Sequence, residues 1–357
     1  MLTGALRPWL SLAVVCAGFS LNSTFRATFW TSDFLQTVLQ QASTNIILAV
    51  GMTFVILTGG IDLSVGSVLA LCGITLGLTV KTGPPPFLAW AMAIPVGALA
   101  SIGAAKLLRA SAVTCAAIAL ITIAAGGAIV HHATRGGIQL EGAIIAALAV
   151  GCACGLVNGL ATTIGRVPPF VVTLGMFTAA RGLAVYATDG NSVSGLPPRL
   201  GTLGQGSVML LIAFAVVLIG ALFLSRTRAG RYIYAIGGNE EASRLTGVDV
   251  AAYKTLAYAV SGVCAAVAAV VLTAKFQVAD TGAATGAELN AIAAVVIGGT
   301  RLSGGHGSVL GTLVGALTIA VLNAGLVLAG VRDTLQGVVI GGVIVLAVML
   351  DQVHRRG

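Results

Sequence analysis

The chain has 357 residues, of which 57% are hydrophobic and 8% charged, with a mean hydropathy of +1.02. Soluble domains carry about 25% charged residues, so a soluble globular fold is excluded and a polytopic membrane protein is expected. The formal net charge is +8, but the basic residues stand singly between apolar runs, which provides no nucleic-acid-binding face and matches topology selection in a lipid bilayer.

Arg7 precedes an apolar run that ends near Phe19. The run superficially resembles a secretory leader, but Val15 stands before Cys16 where a lipoprotein needs a small residue, so an uncleaved first span over 9–29 is expected. Cutting the remainder at charges, prolines and glycine pairs predicts spans at 36–58, 62–80, 87–105, 112–131, 142–163, 169–187, 206–225, 252–274, 287–300, 306–329 and 334–351. The expected fold is therefore an all-α transmembrane bundle of about 10–12 segments, several near the roughly 20 residues that a spanning helix needs. The 287–300 segment is short enough to be re-entrant, and the break at Gly59–Gly60 reads as a kink within the membrane. A barrel is disfavoured because the apolar runs are continuous rather than alternating.

With the N-terminus inside, Arg7, Lys106, Arg226, Arg228, Arg231, Arg244 and Arg301 fall on the cytoplasmic side. The basic residues there outnumber those outside, so both termini are expected in the cytoplasm. Of the 48 glycines, many form G-x-x-x-G steps, at Gly73–Gly77, Gly155–Gly159, Gly311–Gly315 and Gly337–Gly341, which suit helices packed closely in lipid. Cys16, Cys72, Cys115, Cys152, Cys154 and Cys264 lie in apolar segments without zinc-site spacing and read as packing residues.

Three stretches carry the polar residues. In TGGIDLSVGSVLAL, from Thr58 to Leu71, two readings of Asp62 stand. It caps a span at the membrane edge, or, with Ser64, it lies in a broken helix that lines a hydrophilic path. From Gly286, Glu288 and Asn290 open the short apolar segment. Glu288 is either wetted at the outer interface or a functional carboxylate in the membrane. Asn45, Asn158 and Asn323 are single amides on apolar helices, suited to hydrogen bonds between helices, and Asn158 and Asn323 are also path candidates.

The third stretch, 225–254, gathers charge. Gly237 and Gly238 read as a flexible bend, Asn239 as a helix cap, Glu240 and Glu241 as a first turn favoured by the helix dipole, Arg244 as a last-turn cation and Gly247 as the stop. A helix from Glu240 to Thr246 is about 10 Å long and too short to persist alone in water. It needs a surface, either its own protein in an ordinary loop or a soluble partner.

LSGGH, from Leu302 to His306, looks like the signature of an ATP-binding-cassette ATPase. However, none of Lys81, Lys106, Lys254 and Lys275 follows a glycine, so no G-x-x-x-x-G-K-[ST] loop exists to cradle phosphates. His131 and His132 read as an outer loop and His306 as an inner one, and no H-E-x-x-H pattern or G-x-S-x-G elbow accompanies them.

Four blocks then align with one family. AVGMTFVILTGGIDLSVGSVLAL from Ala49, GLVNGLATTIGRVPPFVVTLGMFTAARGLA from Gly155, GRYIYAIGGNEEASRLTGV from Gly230 and ELNAIAAVVIGGTRLSGGHGSVLGTLVGALTIAVLNAGL from Glu288 resemble the permease subunit of bacterial ABC sugar importers of the ribose, xylose and galactoside type. The resemblance implies one transmembrane permease domain over 1–357 in the bacterial inner membrane, pairing with a second copy and surrounded by lipid. It further implies a periplasmic sugar-binding protein that delivers a monosaccharide. A separate cytoplasmic ATPase would carry ATP and magnesium and contact the loop at 226–249, and this chain would bind no cofactor. Two departures stand out. The interval 81–149 is long enough for two additional helices, and Asn290 replaces a commonly acidic residue. The rival reading is an ion-coupled secondary transporter with Asp62 and Glu288 as coupling carboxylates.

Overall fold

A computed structural model describes residues 2–21, 27–107, 112–134, 136–332 and 335–342. Among the described residues the regular structure is helical, and the sole strand-like pairing is an isolated antiparallel bridge between Val193 and Ala279. The helices are α1 (Leu2–Leu21), α2 (Ser32–Leu57), α3 (Val65–Lys81), α4 (Pro86–Leu107), α5 (Ala112–Ala133), α6 (Leu140–Thr163), α7 (Pro169–Ala187), α8 (Pro198–Gly201), α9 (Gly206–Arg226), α10 (Arg228–Gly238), α11 (Glu240–Leu245), α12 (Val250–Phe276), α13 (Ala287–Ile297) and α14 (Val309–Leu328). Six of the described helices, α2, α6, α7, α9, α12 and α14, are long and apolar enough to cross a bilayer. A seventh results if α3 and the start of α4, bent by 111° at their junction, count as one span. Pro8–Leu21, Ile118–Ala133 and Ala287–Ile297 are apolar but shorter. The expected last span, 334–351, falls largely outside the described residues, as do Arg26, Arg109, Arg135, His354, Arg355 and Arg356.

The chain divides into two compact units. The first comprises Met1–Asp62, Gly206–Ala257 and Gly286–Gly357, and the second Leu63–Gln205 and Tyr258–Thr285. In the first unit α14 packs on α1, α2 and α13, and α9 packs on α2. The second half of α2 is almost wholly buried. Its one deep polar contact to another helix is satisfied across the packing, where the Thr53 and Thr312 hydroxyls lie 2.8 Å apart. The Gly311–Gly315 step does what its spacing predicts. A Cβ on Gly298 would come within 2.5 Å of the Gly311 backbone, and one on Gly315 would overlap the Ala294 carbonyl oxygen. Helices in lipid gain association from such close backbone approach because lipid tails remove the usual hydrophobic driving force. Phe54 and Phe223, with ring centres 5.6 Å apart, join α2 to α9.

In the second unit α3 packs on α6 and α7, and α4 packs on α5 and α6; α4 and α5 both lie within 81–149. Small residues again set the spacing. A Cβ on Gly155 would stand 2.8 Å from the Ala259 Cα, and one on Gly73 would stand 3.0 Å from the Thr273 hydroxyl. Gly337 and Gly341 differ, for an added Cβ there meets nothing within 4 Å, so that step closes no contact among the described residues. His131 and His132 also differ from their loop assignment. They end helix α5, which runs to Ala133. Two loops of this unit are tied together by the Val193–Ala279 bridge and the Ser192–Asp280 hydrogen bond of 2.8 Å. Arg181, on α7, donates to the carbonyls of Thr281 at 2.5 Å and Ala283 at 3.0 Å.

Candidate functional site

The charged stretch folds as a helical knob on the first unit. Thr227 starts α10, its hydroxyl accepting from the Gly230 amide at 3.0 Å. Ile233 and Ile236 are buried on one face, while Arg231 and Tyr232 stay exposed on the other. Asn239 then caps α11, its Oδ1 accepting from the Ala242 amide at 2.9 Å. Glu240 and Glu241 occupy the first turn, where the partial positive charge of the free amides favours carboxylates. Gly247 adopts φ +85°, and the Val248 amide reaches back to the Ser243 carbonyl at 3.1 Å, a left-handed stop that an L residue resists. Cap, first turn and stop thus stand where the sequence predicts.

Gly237 and Gly238 do not form the predicted bend. They complete the last turn of α10, and Gly237 is pressed against other backbone. A Cβ there would overlap the Leu57 carbonyl oxygen and the Gly305 amide, whereas one on Gly238 meets nothing within 4 Å. The packing partner, not chain flexibility, explains the first glycine.

Glu240, its side chain still 42% exposed, pairs with two cations. Lys254 donates to its Oε2 at 2.5 Å and Arg244 to its Oε1 at 3.1 Å. The Lys254 hydrogen bond, against an opposing push from partial burial and with help from Arg244, holds the Glu240 carboxyl below the usual carboxylate range. Glu241, Arg244 and Leu245 form the outward face, with Leu245 80% exposed. Lys254 and Leu245 escape a motif reading. The lysine is fourteen positions from its partner in the Glu240 pair, and a single leucine in a polar loop carries no periodic signal.

The membrane polar residues separate into two sets. In the second unit, Asn158 on α6 donates through Nδ2 to Ser64 Oγ at 3.0 Å, with both residues about 1% exposed. This fits the interhelical role read for Asn158 and places Ser64 as the N-cap residue of α3, although its side chain makes no capping bond. Asp62, in the first unit, is 1% exposed and stands two residues before that N-cap. The break that holds it, Thr58 to Ser64, is mostly buried, as irregular backbone at membrane depth requires.

In the first unit, Glu288 is 8% exposed and its Oε2 lacks a hydrogen-bond partner, which removes the wetted-interface reading. The Oδ1 atoms of Asn45 and Asn323 are likewise buried and unpartnered, so these acceptor oxygens do not form the interhelical hydrogen bonds that their setting suggests. Asn290 is half-buried on α13. The three unpartnered oxygens lie on α2, α13 and α14, which pack against one another. Register brings them to similar depth. Thr53 pairs with Thr312, and Ala294 meets Gly315, so stepping along the antiparallel neighbours carries Asn45 and Glu288 to the level of the α14 turn before Asn323. Buried acceptors without donors call for water, an ion or a ligand. Among the described residues no group of three or more His, Cys, Asp and Glu could hold a metal ion.

Comparison with known proteins identifies the family. The family described as "Branched-chain amino acid transport system / permease component" matches residues 34–143 and 108–348. The ribose import permease protein of Escherichia coli K12 is 38% identical over 97% of this chain and 95% of its own. That of Bacillus subtilis is 34% identical over 97% and 92%. The xylose transport system permease protein of Haemophilus influenzae is 29% identical over 97% and 96%. No solved structure matches. Nothing in these relatives supports the ion-coupled alternative that assigned Asp62 and Glu288 as coupling carboxylates. The chain belongs to the family of permease components of the branched-chain amino acid transport system type, alongside the ribose and xylose permeases.

Proposed function

We propose that the chain is the membrane-spanning subunit of a bacterial ABC sugar importer, passing a monosaccharide delivered by a periplasmic binding protein. A separate cytoplasmic ATPase, which holds ATP and magnesium, drives it, and this chain binds no cofactor itself. The relatives named above import or transport ribose and xylose. The carrying observation is α11, a six-residue helix fixed by a cap, a left-handed stop and the Lys254 pair, which presents Leu245 and Glu241 outward. So short a helix has little stability of its own, and an exposed leucine on a rigid polar platform suits a protein partner better than water.

On this reading α11 docks on the ATPase through Glu241, Arg244 and Leu245, while Asn239 and Glu240 hold its shape. This refines the sequence reading, in which Glu240 and Glu241 transmit force alike. Asp62, Glu288, Asn290 and Asn323, with Asn45 added, belong to the path; Ser64 and Asn158 hold α3 to α6 within the second unit. Two copies assemble in the inner membrane within lipid, with both termini and α11 in the cytoplasm and the domain extending over 1–357. Asymmetric loop charge supports that orientation.

The test is reconstitution into liposomes with the cognate ATPase and binding protein, followed by uptake of labelled pentoses and hexoses. Uptake that requires ATP on the ATPase side and ignores a protonophore is expected. Uptake that persists without ATP and collapses with the proton gradient overturns the proposal.

A further inference from the structure

No phosphate loop accompanies LSGGH in the sequence, and the backbone of this loop is tightly constrained. Gly304 and Gly305 adopt φ +87° and +71°, conformations that an L side chain strains. The loop closes on itself, with the Arg301 amide donating to the His306 carbonyl at 2.9 Å and the Gly304 amide to the Arg301 carbonyl at 3.0 Å. It then reaches two other segments of the same unit. The Gly305 amide donates to the Leu57 carbonyl, at the end of α2, at 3.0 Å. The Tyr234 hydroxyl, on α10, donates to the Gly307 carbonyl at 2.9 Å. Burial pushes the Tyr234 phenol up, so it stays a protonated donor at neutral pH.

Glycines line every face of the meeting point. A Cβ on Gly304 would stand 2.9 Å from the Gly59 amide and 3.0 Å from both the Gly237 Cα and the Leu57 carbonyl oxygen. One on Gly305 would stand 2.6 Å from the Gly238 amide. Three segments therefore touch backbone to backbone: the end of α2 where its break begins, the end of α10, and the loop between α13 and α14. Helix α11 begins two residues beyond Gly238.

We infer that this glycine junction is the joint through which displacement of α11 reaches the membrane helices, and that Tyr234, Gly237 and Gly305 are positioning residues for transport. The physical reason is the absence of slack. Side-chain contacts absorb small shifts by changing rotamer, whereas backbone atoms in direct contact have no rotamers to change, and closely packed interiors transmit strain. Of the helices that run from the joint, α2, α13 and α14 carry Asn45, Glu288 and Asn323, each with a buried side-chain oxygen that lacks a partner. A push on α11 thus arrives at the helices that bear those groups, and the loop that looks like a nucleotide signature works as a hinge plate.

This inference rests on the proposed docking of α11 to the ATPase, and the experiment separates the two. Leu245→Cys is tested for cross-linking to the ATPase with a short bifunctional reagent, and Tyr234→Phe and Gly305→Ala are compared with wild type in reconstituted liposomes. Expected are an intact cross-link and unchanged co-purification of the ATPase in both variants. Sugar transported per ATP hydrolysed should fall by roughly three- to tenfold in Tyr234→Phe, as loss of one buried hydrogen bond allows. Gly305→Ala should fall further, and if it fails to insert, Tyr234→Phe alone decides. An intact cross-link with an unchanged transport-to-ATP ratio in Tyr234→Phe overturns the joint and leaves the docking standing. No cross-link at Leu245 in the wild-type background overturns both.

Discussion

Neighbouring glycines at the end of α10 should respond oppositely to the same methyl group. At Gly237 the added Cβ overlaps the Leu57 carbonyl oxygen and the Gly305 amide, and neither obstacle is a side chain that can rotate away. Overpacking costs about 1–3 kcal/mol, and relief of this clash opens the Leu57–Gly305 hydrogen bond, worth a further net 0.5–1.5 kcal/mol or so. Helix propensity returns about 0.5–1 kcal/mol, leaving Gly237→Ala destabilised by about 0.5–4 kcal/mol. At Gly238 the space is open, so only the propensity gain remains, reduced because the residue ends its helix. The two variants should therefore differ by roughly 1–4 kcal/mol, or a few degrees in melting midpoint. Thermal unfolding in detergent, followed by fluorescence-detected size exclusion, measures this. Equal midpoints for the two variants would refute the backbone-on-backbone packing.

Other outcomes follow from the same geometry. Asn239→Ala removes the α11 cap and should cost about 1 kcal/mol, seen as faster hydrogen exchange at 242–246 with little change in the membrane helices. Because the Glu240 pKa is lowered below its ordinary value of 4.5, its ion pairs contribute fully above that pH and are lost as pH falls through the depressed value. Protection of α11, corrected for intrinsic exchange, should stay level from neutral pH down to the ordinary carboxylate value and drop only as pH falls below it through the depressed value, and Lys254→Met should move the drop upward. Asn323→Leu removes a buried acceptor without a donor, which should leave stability unchanged or raise it by up to about 1 kcal/mol, while initial-rate uptake falls. Uptake at the wild-type rate would take Asn323 off the path. Leu245→Asp should abolish ATPase co-purification yet leave the melting midpoint within about 1 °C, since surface changes are usually small.

Composition and local pattern were enough for several features because each depends on neighbours in the chain. The apolar runs dictate membrane helices wherever no water can satisfy the backbone, and the Asn239 cap, the acidic first turn and the Gly247 stop of α11 are contacts within a few residues. The four family blocks likewise lie in the linear text. What only the tertiary structure decided are pairings between distant positions. Gly237 looks like a hinge until Leu57 and Gly305 are seen to close on it. Glu240 looks like a contact for a partner until Lys254 neutralises it. Asn158 and Asn323 are indistinguishable single amides in sequence, yet one finds Ser64 and the other keeps a buried oxygen without a donor. A residue's own type sets which bonds it can make, but the availability of a partner is a property of packing, and packing brings together residues that the chain order separates.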